Sequence, residues 1–419
     1  MTQKTNKGYK MQKKFLGFGF GAIQGGLFLY EAFQSGNFDE LTVAEVMPEV
    51  VRDLREAGGV YRVNVAGRSG IVRHEVRGVA VWNSRVEADR AKLVAAVAEA
   101  DEIATALPSV DFYGEDAPDS VVSILAEGLR LRSGAASRPD CVIYTAENNN
   151  HAAEILWERL ERQLGDAAAW AAEHVQCLNT VIGKMSGVVT DAAQIRDQEL
   201  APLTPNSGRC LLVEEFNRIL ITRITLPGFR RGIEVFEEKP DLLPFEEAKL
   251  YGHNATHAML GYLARLRGLP FMADVSAETD LVELARAAFI EESGGALCRR
   301  HAGVDDLFTP AGYTAYAEDL LERMLNPHLR DAVARVVRDP QRKLGWDDRL
   351  VGVMRAALAE NINPARYALG AAAALRMLAE EDPGAASGLP EQWRKAGAEQ
   401  AEMDRIMRLI YKADASLPR

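Results

Sequence analysis

Three residues set out the chemistry this chain could do: Lys249, Asn254 and His257, within Lys249-Leu-Tyr-Gly-His-Asn-Ala-Thr-His257. Glu246 and Glu247 precede them, where acidic residues suit the positive end of a helix dipole. On an α-helix advancing roughly 100° per residue, the three fall within about 140° of one another. One side then carries an amine, an amide and an imidazole, a set able to take a proton, return it and hold the oxygen that carried it. Burying three polar groups on one side costs free energy unless each finds a partner. Taken alone, the segment reads more simply as a solvated lysine and a satisfied core histidine. The rest of the chain must decide.

A second pattern could hold a nucleotide. The run from Lys14 to Phe18 predicts a strand, followed by Gly19, Gly21, Gly25 and Gly26 and a helix from Leu27 to Gln34. A short strand from Leu41 then ends in Glu45. Glycines let a backbone approach a pyrophosphate, a helix N-terminus supplies free N–H groups, and an acid takes the ribose hydroxyls. Gly19, Gly21, Ala22, Ile23 and Gln24 are the candidate cradle, and Glu45 the candidate ribose acid, which favours NAD over NADP. Gln24 stands where the third glycine of G-x-G-x-x-G belongs, with Gly25 and Gly26 just behind it.

Elements able to position these groups follow in order. Ala88 to Ala100, Val121 to Leu131 and Ala152 to Leu164 have helical periodicity, whereas Glu102 to Pro108, Cys141 to Ala146, Cys210 to Val213 and Ile219 to Ile224 are strand-like. The Cys141 strand ends in Glu147-Asn148-Asn149-Asn150-His151, and ligands of open parallel sheets gather at the carboxyl ends of strands. From Glu246 onward helical periodicity and alanines dominate. The expectation is an α/β protein: a basic tail over 1–10, a Rossmann-type dinucleotide-binding domain over 11–240, and a mainly α-helical catalytic domain over 241–419.

Composition removes several classes. The 419 residues are 47% hydrophobic, enough for two cores. A net charge of -11 argues against general nucleic-acid affinity. Cys141, Cys177, Cys210 and Cys298 are widely spaced, as suits reduced thiols in a cytoplasmic protein. Lysines at 4, 7, 10, 13 and 14 before the apolar run Phe15 to Tyr30 imitate a signal peptide, but no small-x-small cleavage site follows. No other run is long enough for a membrane span. A monomer or small homo-oligomer is expected.

Placed together, these motifs resemble the mannitol dehydrogenase family, the polyol-specific long-chain dehydrogenases and reductases, and within it the mannitol-1-phosphate 5-dehydrogenases. The family's Lys, Asn and His are met by Lys249, Asn254 and His257, and its Cys-Glu-Asn by Ala146-Glu147-Asn148. Two longer matches run from Phe289 to Arg300 and from Asn326 to Leu344, the second continued by Asp347 to Leu350. The resemblance implies a Rossmann-type domain, a helical domain, and an active site between them. It implies metal-independent oxidation of a polyol with a nicotinamide cofactor, Lys249 serving as acid/base, Asn148 and Asn254 polarising the reacting oxygen and His257 positioning the substrate. This chain departs from the family at Gly183-Lys184-Met185-Ser186, in the cofactor turn, and in an extra segment from Phe236 to Leu243.

The chemistry itself is coherent. Without a metal, a side chain must accept the hydroxyl proton as hydride leaves carbon, and a lysine can do so if burial lowers its pKa. His253 and His257 have the spacing for zinc, but the glutamate of H-E-x-x-H and a third ligand are missing, so no metal is expected. A phosphorylated substrate would need cations: Arg299, Arg300, Arg342 and Lys343, or Arg218 and Lys184. Mannitol 1-phosphate and fructose 6-phosphate are the favoured pair. Free mannitol, a hexuronate, or a non-catalytic nucleotide-binding redox sensor are the alternatives.

Overall fold

The computed structural model describes residues 13–135, 139–216 and 218–418. The expected basic tail over 1–10 lies outside the described residues. The chain divides into two compact units, Met1–Leu242 and Leu243–Arg419.

The first unit holds twelve strands among the described residues: β1 (Lys13–Phe18), β2 (Phe38–Ala44), β3 (Tyr61–Ala66), β4 (Ile71–Val76), β5 (Val79–Trp82), β6 (Glu102–Thr105), β7 (Cys141–Thr145), β8 (Val175–Val181), β9 (Ser186–Val189), β10 (Cys210–Glu214), β11 (Ile219–Thr222) and β12 (Phe236–Lys239). The main sheet runs β12-β11-β8-β7-β6-β1-β2-β5. It is parallel from β8 through β5, with β11 antiparallel to β8. Strands covered on both faces read as continuous apolar runs, and β7 is buried throughout. Successive side chains point to opposite faces. Phe15 therefore joins one apolar core with Phe28, Val43 and Tyr144, while Leu16 joins another with Leu93, Leu125 and Leu156. The extra segment from Phe236 proves to be an edge strand, β12, in parallel register with β11.

A smaller sheet, β4-β3-β10-β9, was not foreseen as a unit. It gives the glycine turn a second use. A Cβ at Gly25 would lie 2.7 Å from Leu211 of β10, and one at Gly26 would overlap the Val213 side chain. These two glycines allow the helix after the turn to lie directly on β10.

The second unit is helical, built from segments including Ala255–Leu266, Pro310–Met324, Arg349–Ala359, Ala365–Glu381 and Gln400–Asp414. Small residues set the helix approaches: a Cβ at Gly261 would meet Val336 at 2.5 Å, and one at Gly370 would meet Met259 at 2.6 Å. Among the described residues three π-helical turns interrupt the α-helices, at Gln24–Phe28, Ala248–Asn254 and Ala288–Gly294. Each falls inside one of the motifs singled out from the sequence.

Candidate active site

The turn Ala248–Asn254 changes the geometry expected for Lys249. Hydrogen bonds of a π-turn run from i to i+5, so residues five apart stack one turn above the other. Lys249 and Asn254 are five apart and His257 is three beyond, back on the α-helix Ala255–Leu266. The wide fan of an α-helix closes into a column. Gly252 lets the turn pack closely, because a Cβ there would lie 2.7 Å from both the Phe289 ring and the Tyr313 hydroxyl. Gly294, in the third π-turn, abuts the same tyrosine at 2.6 Å, and Ser293 bonds the Tyr313 hydroxyl at 2.8 Å.

Surrounding bonds fix the helix. Glu247 meets His301 at 2.7 Å and Arg300 at 3.1 Å, Thr256 bonds the Tyr367 hydroxyl at 2.7 Å, and the Tyr262 hydroxyl donates to the Val337 carbonyl at 3.0 Å. Two of the candidate groups are left out of these bonds. Among the described residues, neither the Lys249 amine nor the Asn254 amide has a hydrogen bond or ion pair. Burial pushes the Lys249 pKa down to about 8; Arg349 adds to the shift and Glu246 opposes it. His253 is buried and, through desolvation and then the nearby charges of His257, Arg323, Lys249 and Arg349, falls well below the usual imidazole range. It is neutral at physiological pH.

Asn254 and His257 open onto a cavity of about 310 Å³ that is also lined by Arg335, Arg338, Asp339, Arg342, Lys343 and Arg349. Five cations therefore face one carboxylate. Lys343 is 5% exposed, and its pKa is pushed down to about 8 by burial and by repulsion from Arg349 and Arg342. The Trp393 indole N–H donates to the Leu344 carbonyl at 2.7 Å, anchoring the backbone beside it. Asp339 has a left-handed backbone, φ 56°, immediately before the short helix Pro340–Lys343.

In the first unit, the turn between β1 and the following helix fits a dinucleotide phosphate. Gly19 has φ +82°, and a Cβ there would meet the Ala106 carbonyl oxygen at 2.8 Å. A Cβ at Gly21 would meet nothing within 4 Å, so the backbone is open there. The Gly25 N–H bonds back to the Gly21 carbonyl, which leaves the N–H groups of Ala22, Ile23 and Gln24 as the unsatisfied start of the helix. The Gln24 side chain itself is fully buried against Gly17 with no hydrogen-bond partner among the described residues, so only its backbone faces the turn.

Glu45 is fixed by backbone groups. Its Oε2 accepts from Phe20 N at 2.9 Å, and Oε1 accepts from Val46 N at 2.7 Å and Met47 N at 2.8 Å. It ties the glycine turn to the loop after β2. At the end of β7, Glu147 is likewise spent, accepting from Thr105 at 2.9 Å, Leu107 N at 2.9 Å and Tyr113 at 2.5 Å. Its neighbour Asn148 is exposed, with no hydrogen bond among the described residues.

These folds have known counterparts. Residues 13–225 match the mannitol dehydrogenase Rossmann domain and residues 241–414 the mannitol dehydrogenase C-terminal domain. The chain belongs to the mannitol dehydrogenase family. It is accordingly an oxidoreductase of the kind acting on CH–OH groups. Among solved structures it resembles a Pseudomonas fluorescens mannitol 2-dehydrogenase in ternary complex with NAD and D-mannitol (16% identity, TM-score 0.70, covering 97% of this chain and 92% of that one). It also resembles a substrate-free D-sorbitol dehydrogenase (14% identity, TM-score 0.70, covering 88% and 81%).

Some expected cations lie elsewhere. Arg299 donates to the Glu360 carbonyl at 2.7 Å and Arg300 pairs with Glu247, so neither lines the cavity with Arg342 and Lys343. Arg218 pairs with Glu237 at 3.0 Å, and the Lys184 amine donates to the Phe216 carbonyl at 3.0 Å. Arg335, Arg338 and Arg349 were missed as cavity residues. Their signal was the second long motif, whose basic residues were read only at Arg342 and Lys343. Among the described residues no helix is long and apolar enough to cross a membrane, and no group of three or more His, Cys, Asp or Glu is placed to hold a metal ion.

Proposed function

We propose that this enzyme interconverts a polyol phosphate and its ketose phosphate with NAD, mannitol 1-phosphate and fructose 6-phosphate being the favoured pair. The observation that carries the reading is the unpaired Lys249 amine, held near pKa 8 on the same helix as two groups that open onto a strongly basic cavity.

In the oxidising direction the neutral Lys249 amine takes the proton of the reacting hydroxyl. The Asn254 amide donates to the oxygen as negative charge develops, and Asn148 is proposed to supply a second donor. His257 orients a neighbouring hydroxyl. In the reducing direction the Lys249 ammonium returns the proton to the carbonyl oxygen. A bound nicotinamide would accept or supply the hydride. Gly19, Gly21, Ala22, Ile23 and Gln24 would receive its phosphates on their backbone, and Glu45 would stand beside the ribose. The carboxylate of Glu45 favours NAD, because a 2′-phosphate would face its charge.

The cavity favours an anionic substrate. Arg335, Arg338, Arg342, Lys343 and Arg349 can neutralise a phosphate, and guanidinium groups match its geometry bidentately. The deciding test is NADH oxidation with fructose 6-phosphate, fructose, tagaturonate and fructuronate. Fructose 6-phosphate should give a kcat/KM on the order of 100-fold above fructose, the discrimination expected when a site built to bind a charged group is offered an analogue that lacks it. Equal turnover of fructose would remove the phosphate from the reading. A hexuronate preference would keep the anion and change the sugar.

A further inference from the structure

Asp331 lies outside the residues that line the cavity, yet it touches two that do. Its Oδ2 lies 3.1 Å from His257 Nε2, while Oδ1 accepts from Arg335 Nε at 2.7 Å and lies 2.6 Å from Nη2. The carboxylate is 9% exposed, and its backbone is pinned where the Asp331 carbonyl accepts Met272 N at 2.8 Å, beside the isolated Phe271–Ala332 bridge. Both His257 Nε2 and Asp331 Oδ2 are buried atoms without an aligned hydrogen-bond partner among the described residues, and at 3.1 Å each is the polar group set against the other. Each therefore depends on the other, since a buried polar atom left alone is costly.

We infer that Asp331 is the positioning residue that fixes His257 as its Nε2–H tautomer, leaving Nδ1 as the acceptor for a substrate hydroxyl. A carboxylate can only accept, so the nitrogen facing it must carry the proton, and the neutral ring must then present its lone pair on the other nitrogen. The opposite tautomer would set two acceptors against each other at Asp331 and offer a polyol hydroxyl a donor instead. The Arg335 guanidinium on Oδ1 keeps the carboxylate ionised and prevents it from rotating. Together with His257, Arg335 holds Asp331 below the usual carboxylate range although burial opposes this. One carboxylate thus sets both the polarity of the hydroxyl-binding ring and the direction of a cavity cation.

The identity of the hydroxyl rests on the polyol reading above; the tautomer does not. The first measurement is therefore made without substrate. Nitrogen-15 spectra of the full-length protein, with the His257 signals assigned by their loss in His257→Asn, should show Nε2 protonated and Nδ1 bare in the neutral ring. An Nδ1–H ring or an even mixture overturns the inference. The second measurement is a cycle of Asp331→Asn, His257→Asn and the double variant on the best substrate of the panel. Loss of the positioned acceptor should lower kcat/KM on the order of 10- to 100-fold in either single variant. In the double variant Asp331→Asn should add less than about threefold, because linked groups do not add. Independent, multiplying losses would mean that Asp331 acts on folding or on Arg335 alone, and would overturn the positioning role. If the whole panel is silent while the tautomer is as stated, the substrate reading fails and the Asp331–His257 pair stands.

Discussion

The two units carry the same device, a π-turn beside glycines, and use it in opposite ways. At Gln24–Phe28 the neighbouring carboxylate is occupied: Glu45 is spent on three backbone N–H groups, and Gly25 and Gly26 serve the packing of a helix on β10. At Ala248–Asn254 the backbone supports are equally tight, but the Lys249 amine and Asn254 amide are left without partners among the described residues. In the proposed function the first turn binds and has to keep its shape, whereas the second transfers a proton and must leave its donors and acceptors open to substrate. The contrast shows that rigidity and reactivity are supplied by different residues of the same turn.

This contrast can be broken by substitution. Lys249→Ala should lower turnover in both directions by on the order of 10³-fold while leaving NADH affinity, followed by fluorescence, within a factor of about two. Unchanged turnover would remove Lys249 from the chemistry. Gly26→Val should act on stability instead, costing about 1–3 kcal/mol in urea unfolding because its side chain would collide with Val213. Gly21→Ala has space around it, so its unfolding midpoint should stay within error and only cofactor affinity should fall.

Lys343→Met should separate stability from function. The folded pKa of Lys343, about 8, lies below the ordinary lysine value of 10.5, so its charge penalises the folded state fully below pH 8. That penalty disappears above about 10.5. The variant should gain on the order of 1–3 kcal/mol at pH 7, lose that gain above about pH 10.5, and bind a phosphorylated substrate more weakly. Equal affinity for the phosphate would exclude Lys343 from the anion site.

The smallest effect concerns pH. If oxidation uses the neutral Lys249 amine as proposed, its rate should rise as pH passes about 8, while reduction should fall over the same interval. Arg349 contributes less than burial to this low pKa, so Arg349→Met should move both limbs upward by less than about one unit. A limb that stays in place would assign the whole shift to desolvation.

Much of the fold was legible because its signals are local. The continuous apolar run of β7, the turn chemistry around Gly19 and the helical period of Ala152–Leu164 each declare an element without reference to the rest of the chain. The small sheet was not, because β3 pairs with β10 across a long separation in sequence, and β4 is only partly buried with little alternation. At the site, residue types were readable but their directions were not. Lys249, Asn254 and His257 could be named, whereas an α-helical spacing misjudged their alignment, since nothing in the local sequence announces a π-turn except Gly252. Arg299 and Arg300 look the same in sequence as Arg342 and Lys343, and only their places in the fold, against Glu360 and Glu247 or along the cavity wall, tell them apart.

The register of the second π-turn also bears on how this helix tolerates changes in length. Removing one residue between Lys249 and Asn254 would let the segment relax into an uninterrupted α-helix, a more ordinary hydrogen-bonded ladder. Such a shortened chain would rotate every residue on one side of the cut relative to the other, parting the amine from the amide. On the proposed mechanism, folding and catalysis thus ask for different numbers of residues here, and the natural length suits the second.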